Sequence, residues 1–248
     1  GKGANSVTGS TVFGENALDA AVTGAHNTAI GQLTLTDNTS GLGNTAIGSS
    51  SLTNNTTGNY NVGVGYGAMA ANTTAHNNVA VGFVALDVNT SGGSNVAIGS
   101  NSLGANTTAS NNTAVGHNSL LSNTTGIYNV AVGSTALDAN TTGVNNTGVG
   151  FRALSANTTG LDNSAFGIQA LYDNTTGQYN VALGSGSLGN NTTASKNTAV
   201  GVNAAGQLTT GHSNAAVGHH AYINGTASYN VAIGRDALVN ATSNSNVA

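Results

Sequence analysis

The chain repeats itself every 17 residues. An Asn recurs from Asn27 through Asn44, Asn61 and Asn78 to Asn214 in eleven identical steps, and the last two steps, to Asn230 and Asn246, are 16 residues each. Ser10 opens an earlier copy in the same register, with Phe13 and Gly14 where later copies carry an aliphatic residue and Gly. A unit this short cannot bury a core alone, so its apolar face must be covered by neighbouring copies. It is also too short for a helical-hairpin repeat, which needs about 33 residues. One β-coil per copy fits. The sequence therefore predicts an all-β fold, an elongated parallel β-solenoid with one 17-residue coil per repeat. Residues 1–9 read as a lead-in continuous with upstream chain, 10–213 as the regular solenoid, and 214–248 as its continuation with 16-residue repeats.

The copy Asn129–Asn145 serves to number positions 1 to 17. Position 4 is aliphatic or Phe, as in Ile30, Val64, Val132 and Phe166; position 5 is Gly from Gly31 to Gly218; position 9 is mostly Leu, as in Leu52 and Leu137. Position 12 opens Asn-Thr-Thr or Asn-Thr-Ser in ten copies. Alternation puts positions 2 and 4, such as Val62 and Val64, on one side of a strand. We expect that side to face inward as an aliphatic stack that includes Val132, with Asp138 outside. Gly at position 5 ends the strand, because it takes positive φ at little cost. The Asn-Thr-Thr-Gly segment reads as a second turn, in which Asn adopts the left-handed region and bonds its own backbone. Stacked asparagines at positions 1 and 12 should form amide ladders. The small residues at positions 3 and 5 either suit a tight coil or admit a second chain. Leu at position 9 reads as an apolar row that a thin coil leaves on its surface.

Composition narrows the function classes. Only 5% of residues are charged, the formal net charge is −4, and the four Lys and Arg are scattered. That leaves no basic patch for nucleic acid. No apolar run approaches the length of a bilayer span, so no membrane insertion is expected. No signal peptide is visible at the start, which suggests a segment of a longer chain. Without Cys, the redox compartment is not encoded. Disorder is disfavoured, since the chain has no Pro, little charge and regularly placed Val, Ile and Leu.

The elements Asn44-Thr-Ala-Ile-Gly48 and Asn95-Val-Ala-Ile-Gly99 resemble the head repeats of trimeric autotransporter adhesins. With the following Ala-Leu-x-x-Asn-Thr-Thr-Gly, the unit looks still more like repeats of phage tail-fibre and related bacterial surface proteins. The resemblance spans residues 10–248. It implies a left-handed β-roll and parallel homotrimers, and an extracellular place on a cell surface or virion. The 17-residue spacing is longer than that of the adhesin heads, so one turn must differ.

Candidate sites are few. The acids lie on scattered coils; Asp87 and Asp138 share position 10 but are three coils apart, about 14 Å by strand spacing, too far for a carboxylate pair. His219 and His220 form the one His cluster, but neighbours on a strand point to opposite faces and would not share a metal. His212 lies less than one coil earlier. No catalytic, cofactor or metal residues are predicted. The Asn-Thr-Thr motif matches an N-glycosylation acceptor at Asn38, Asn55, Asn72, Asn89, Asn106, Asn123, Asn140, Asn157, Asn174 and Asn191, although a turn-and-ladder role, with the acceptor match incidental, is the favoured reading. Ice binding is disfavoured, because the adjacent Thr residues of that turn do not share one flat face. The expected function is a non-catalytic fibre segment that spaces or presents a receptor-binding surface. Its partners are expected to be copies of itself, as a homotrimer or a filament, with cell-surface carbohydrate or a receptor as a further partner; the alternative function is a carbohydrate-binding or glycan-coated surface filament.

Overall fold

The computed structural model describes residues 7–20, 22–222, 226–238, 245 and 247. The chain forms two compact units, Gly1–Thr125 and Gly126–Ala248. The first carries β1 (Thr11–Phe13), β2 (Thr28–Ile30), β3 (Thr45–Ile47), β4 (Val62–Val64), β5 (Val79–Val81), β6 (Val96–Ile98) and β7 (Thr113–Val115). The second carries β8 (Val130–Val132), β9 (Thr147–Val149), β10 (Ser164–Phe166), β11 (Val181–Leu183), β12 (Thr198–Val200), β13 (Ala215–Val217) and β14 (Val231–Ile233). Within each unit every strand pairs in parallel with the next, equivalent over equivalent, as in Ile30↔Ile47 and Phe166↔Leu183. This is the predicted β-solenoid, one coil per repeat.

Hydrogen bonds between coils continue beyond the three-residue strands. Leu137 N donates to Ala153 O at 3.0 Å, Ala139 N to Ser155 O at 3.1 Å and Asn145 N to Ile127 O at 3.1 Å. The turns are thus paired almost as regularly as the sheet, which leaves few backbone groups to water.

The glycine reading holds. Position-5 glycines adopt φ from +115° to +144°, beyond the region that residues with a Cβ favour. A Cβ at Gly150 would lie 2.4 Å from Gly167 O on the next coil. The left-handed turn residues are not the position-12 asparagines. They stand at positions 7, 9 and 17, as in Thr135 (φ 53°), Leu137 (φ 52°) and Asn145 (φ 57°). Each such non-Gly residue costs about 1–3 kcal/mol unless its surroundings hold it there.

The inside and outside of the strand are the reverse of the expectation. The middle residue, Ala at position 3, is fully buried in β2, β3 and β8, whereas positions 2 and 4 face outward. Val132 is 37% exposed and lies in no core. Leu at position 9, expected as a surface row, is 0% exposed from Leu35 to Leu188 and forms the interior stack with Ala or Ser at position 8. Volume decides the outcome. The coil interior already holds a Leu and two Asn side chains, so the facing strand has room for a methyl group and not for two β-branched residues. Burying each Leu contributes about 1.5–3 kcal/mol, enough to offset its left-handed backbone. Small residues at positions 3 and 5 therefore answer to the coil's own interior and to the next coil of the same chain. They are not evidence for a second chain.

The 16-residue step between β13 and β14 keeps the register, with Val217 opposite Ile233. The residue omitted falls between Tyr222 and Ala227, because Asn214 Nδ2 still reaches Ala227 O, 13 residues on instead of 14. Tyr222 occupies position 9 there, fully buried. Its hydroxyl donates to Ala227 O at 2.5 Å and accepts from Asn230 Nδ2 at 3.2 Å. Burial pushes its phenol above the usual range, and the Asn230 bond opposes that shift. The step from Asn230 to Asn246 ends on residues outside those described.

This partition separates two substitutions that share one strand. In dissociated chain, Ala131→Asp should destabilise by several kcal/mol, since it places a carboxylate against Leu and Asn in the interior. Val132→Asp should change stability by less than about 1 kcal/mol. Urea denaturation at low protein concentration measures both; equal losses would contradict the assignment.

Candidate functional site

Positions 2 and 4 build the most extensive feature of the surface. Within each unit their side chains stand in parallel rows on an outward sheet face. Ile30, Ile47 and Ile98 are 36%, 37% and 39% exposed in the first unit, and Val132, Phe166, Leu183 and Val217 are comparably open in the second. Position 2 supplies Thr or Val in most coils, and neither row contains a charged residue. Aromatic residues border the face at position 6. Tyr66 and Phe83, on successive coils, stack at 5.6 Å with 14° between their rings, and Phe151 is similarly exposed. Position 17 adds exposed Tyr60, Tyr128, Tyr179 and Tyr229. A patterned, uncharged apolar strip of this kind is unusual on a surface that meets only water.

The interior explains the asparagines. In the coil of Asn129–Asn145, Asn129 Nδ2 and Asn140 Nδ2 both donate to Gly143 O, at 2.8 and 3.1 Å. Asn146 N on the next coil donates to Asn129 Oδ1 at 3.0 Å, and Asn157 Nδ2 to Asn140 Oδ1 at 2.8 Å. The predicted ladders at positions 1 and 12 are therefore present. The ten acceptor-motif asparagines, Asn38, Asn55, Asn72, Asn89, Asn106, Asn123, Asn140, Asn157, Asn174 and Asn191, are all 0% exposed. In Asn55 and Asn157, for example, the amide nitrogen that would carry a sugar holds two hydrogen bonds inside the coil. A glycan there would have to displace at least one of them and pass through the coil wall.

The position-12 ladder stops at Asn191, whose Oδ1 is the one buried side-chain polar atom without a partner among the described residues. Its neighbour one coil on is Leu208, with Ala205 at position 9. Leu208 is fully buried beside a small position-9 residue, but offers no amide.

The second unit also has a notch of about 390 Å³ where the outer ridge is interrupted by Gly186, Gly189 and Gly206. Amide side chains of Gln169, Asn190, Asn203 and Gln207 line it, with Tyr172 and His220 among its walls. Sequence reading missed it, because it arises from three separate glycines that replace larger residues on neighbouring coils.

Glu15 accepts from Gln32 Nε2 at 2.9 Å, Asp162 from Asn145 Nδ2 at 3.0 Å and Asp138 from Ser155 Oγ at 2.5 Å. Asp87 is raised above the usual carboxylate range by partial burial, against two opposing backbone hydrogen bonds. His212 packs edge-on against Tyr229, at 5.1 Å. His219 and His220 do not lie on a strand. They follow Gly218 in a turn, and the left-handed φ of His220 (56°) brings the two rings to one side, 3.9 Å apart. The opposite-faces argument fails for that reason.

Compared with protein-family models, with curated proteins and with solved structures, the chain matches none. No helix among the described residues is long and apolar enough to cross a membrane, which says nothing of a β-barrel.

The broken ladder yields a direct test. Ala205→Leu with Leu208→Asn restores the common pattern and gives Asn191 Oδ1 a donor. The pair should raise stability by about 1–3 kcal/mol, while Leu208→Asn alone should lower it by opening a cavity. Thermal denaturation distinguishes these outcomes, and a double variant weaker than the parent would contradict the ladder account.

Proposed function

We propose that the chain is a non-catalytic segment of an extracellular fibre, on a cell surface or virion, that assembles with parallel copies of itself. The observation that carries this reading is the uncharged row of position-2 and position-4 side chains, repeated coil after coil on the outward sheet face within each unit. Each copy presents the same face at the same spacing, so association needs no second kind of surface. The face is built from Val, Ile, Phe and Leu that the coil cannot take inside, which gives a physical reason for their presence. Trimers are favoured over an open filament by the resemblance of the repeats to adhesin heads and tail-fibre proteins. The position-9 leucines play no part in this interface, since they form the interior of each chain.

In this role the solenoid acts mechanically. Regular inter-coil hydrogen bonds leave little free edge for proteases, and identical coils carry a distal receptor-binding part away from its anchor. A second reading, glycan binding, is supported by the notch at Tyr172, because amide side chains beside an aromatic ring suit sugar hydroxyls and a sugar face. Loss of glycan-array binding on Tyr172→Ala, with assembly intact, would favour it.

Light scattering tests the assembly. A particle of three times the 24.1 kDa chain mass is expected. Val132→Asp combined with Phe166→Asp should return it to a single chain with its β-sheet circular dichroism unchanged. A monodisperse 24.1 kDa species at all concentrations would overturn the proposal.

A further inference from the structure

The turn after β13 gathers chemistry that the repeat does not supply elsewhere. His219 and His220 occupy positions 6 and 7 of their coil, and Asp236 occupies position 7 of the next. Three features bring them together. Gly218 (φ 134°) ends the strand and turns the chain, and the left-handed backbone of His220 (φ 56°) removes the strand alternation that would separate the imidazoles. Their rings stack 3.9 Å apart. Asp236 then repeats the conformation of His220 one coil further on (φ 58°), and its backbone N–H donates to His219 O at 3.1 Å.

The resulting side chains face one another. His220 Nδ1 lies 3.8 Å from Asp236 Oδ1. Arg235 Nε takes the other carboxylate oxygen, Oδ2, at 3.1 Å, which leaves Oδ1 turned toward the imidazole. One ligand atom each from His219, His220 and Asp236 lie within 4.8 Å of one another. A tetrahedral ion held at about 2.0–2.2 Å needs its ligands roughly 3.3–3.6 Å apart. The cluster must therefore contract by about 1 Å, which rotation of outward side chains supplies without moving the coil. Asn203, at position 7 of the preceding coil, places its amide 3.1 Å from His220 Nε2. The contacting atom is Nδ2, so a metal-bound His220, which carries its proton on Nε2, needs this amide turned over to present its oxygen to the ring.

We propose that His219, His220 and Asp236 bind one divalent transition-metal ion, with an open fourth position for water. Two imidazoles and a carboxylate suit Zn²⁺ and its neighbours, whereas Ca²⁺ and Mg²⁺ prefer oxygen ligands throughout. The ion would fasten the coil of β13 to that of β14. This is where such a clip has most to contribute. The position-12 amide ladder has already ended at Asn191, and the repeat shortens to 16 residues in this coil. The bland alternative is a surface ion pair between His220 and Asp236, which binds no metal and stabilises little.

Calorimetric titration of the full chain with zinc chloride tests the site, with thermal denaturation as a second readout. One Zn²⁺ per chain and a higher melting temperature in its presence are expected. His220→Ala and Asp236→Asn should each weaken binding by at least about tenfold, while His117→Ala, in the other unit, should leave it unchanged. Circular dichroism of each variant confirms that the coil persists; should His220→Ala unfold, His219→Ala with Asp236→Asn makes the same comparison. Cobalt substitution should give a visible absorption band that those variants lose. Absence of zinc binding by the parent chain, or equal binding by parent and variants, would overturn the proposal.

Discussion

Each coil depends on a backbone carbonyl that points inward. The position-15 carbonyl, Gly143 O for example, faces the coil interior and would be buried without a partner if the side chains around it were apolar. Two Asn amides meet it, one from each side, at 2.8 and 3.1 Å. Their oxygens are in turn satisfied by the next coil, one through a backbone N–H and one through the next amide. The network explains why equivalent residues stay in register from coil to coil, even across the 16-residue step. A shift of one residue would put an apolar or exposed side chain where an amide is needed, and each unmet buried group would cost about 1–3 kcal/mol. It also explains how a chain with 5% charged residues specifies one fold, because register is set by amides and not by ion pairs. Where the network breaks, the replacements are local: Leu208 fills the volume but leaves Asn191 Oδ1 unpaired, and the Tyr222 hydroxyl takes over a carbonyl.

The same network decides what is outside. Two amides and a Leu occupy the coil, so the strand opposite contributes Ala or Gly, and the larger Val and Ile are turned out. Left-handed backbone at positions 7, 9 and 17 lets so short a chain close around this content. That strain is tolerable where inter-coil hydrogen bonds hold the bent residues, as at Arg152, Leu154 and Asp162, and the bent Leu is buried besides. The outward rows of Val, Ile, Leu and Phe are thus a consequence of a narrow interior, and they give the assembly proposed for the chain its surface.

The period, the parallel pairing, the position-5 glycines and the Asn ladders were legible in the sequence, because each follows from repetition or from a property of a single residue type. The direction of the strand was not. Alternation says that positions 2 and 4 share a side opposite position 3, but it is blind to which side is inside; hydrophobicity alone favours Val over Ala. The deciding information is volume across the coil, and it needs Leu137, Asn129 and Asn140 placed in the same cross-section as Ala131. Nor did the sequence reveal that His219 and His220 share a side, since that follows from the φ of one residue in a turn. The notch beside Tyr172 was hidden for a similar reason: it is made by the absence of side chains on neighbouring coils.

The absence of Cys allows the inside and outside to be read chemically. Val132→Cys and Ala131→Cys differ by one position on one strand, and their rates of reaction with a water-soluble maleimide under native conditions can be compared directly. The account predicts rapid labelling of the thiol at 132 in dilute protein, slowing as concentration rises and copies cover the face. It predicts that the thiol at 131 stays protected until the coil unfolds. Faster labelling at 131 than at 132 would contradict it.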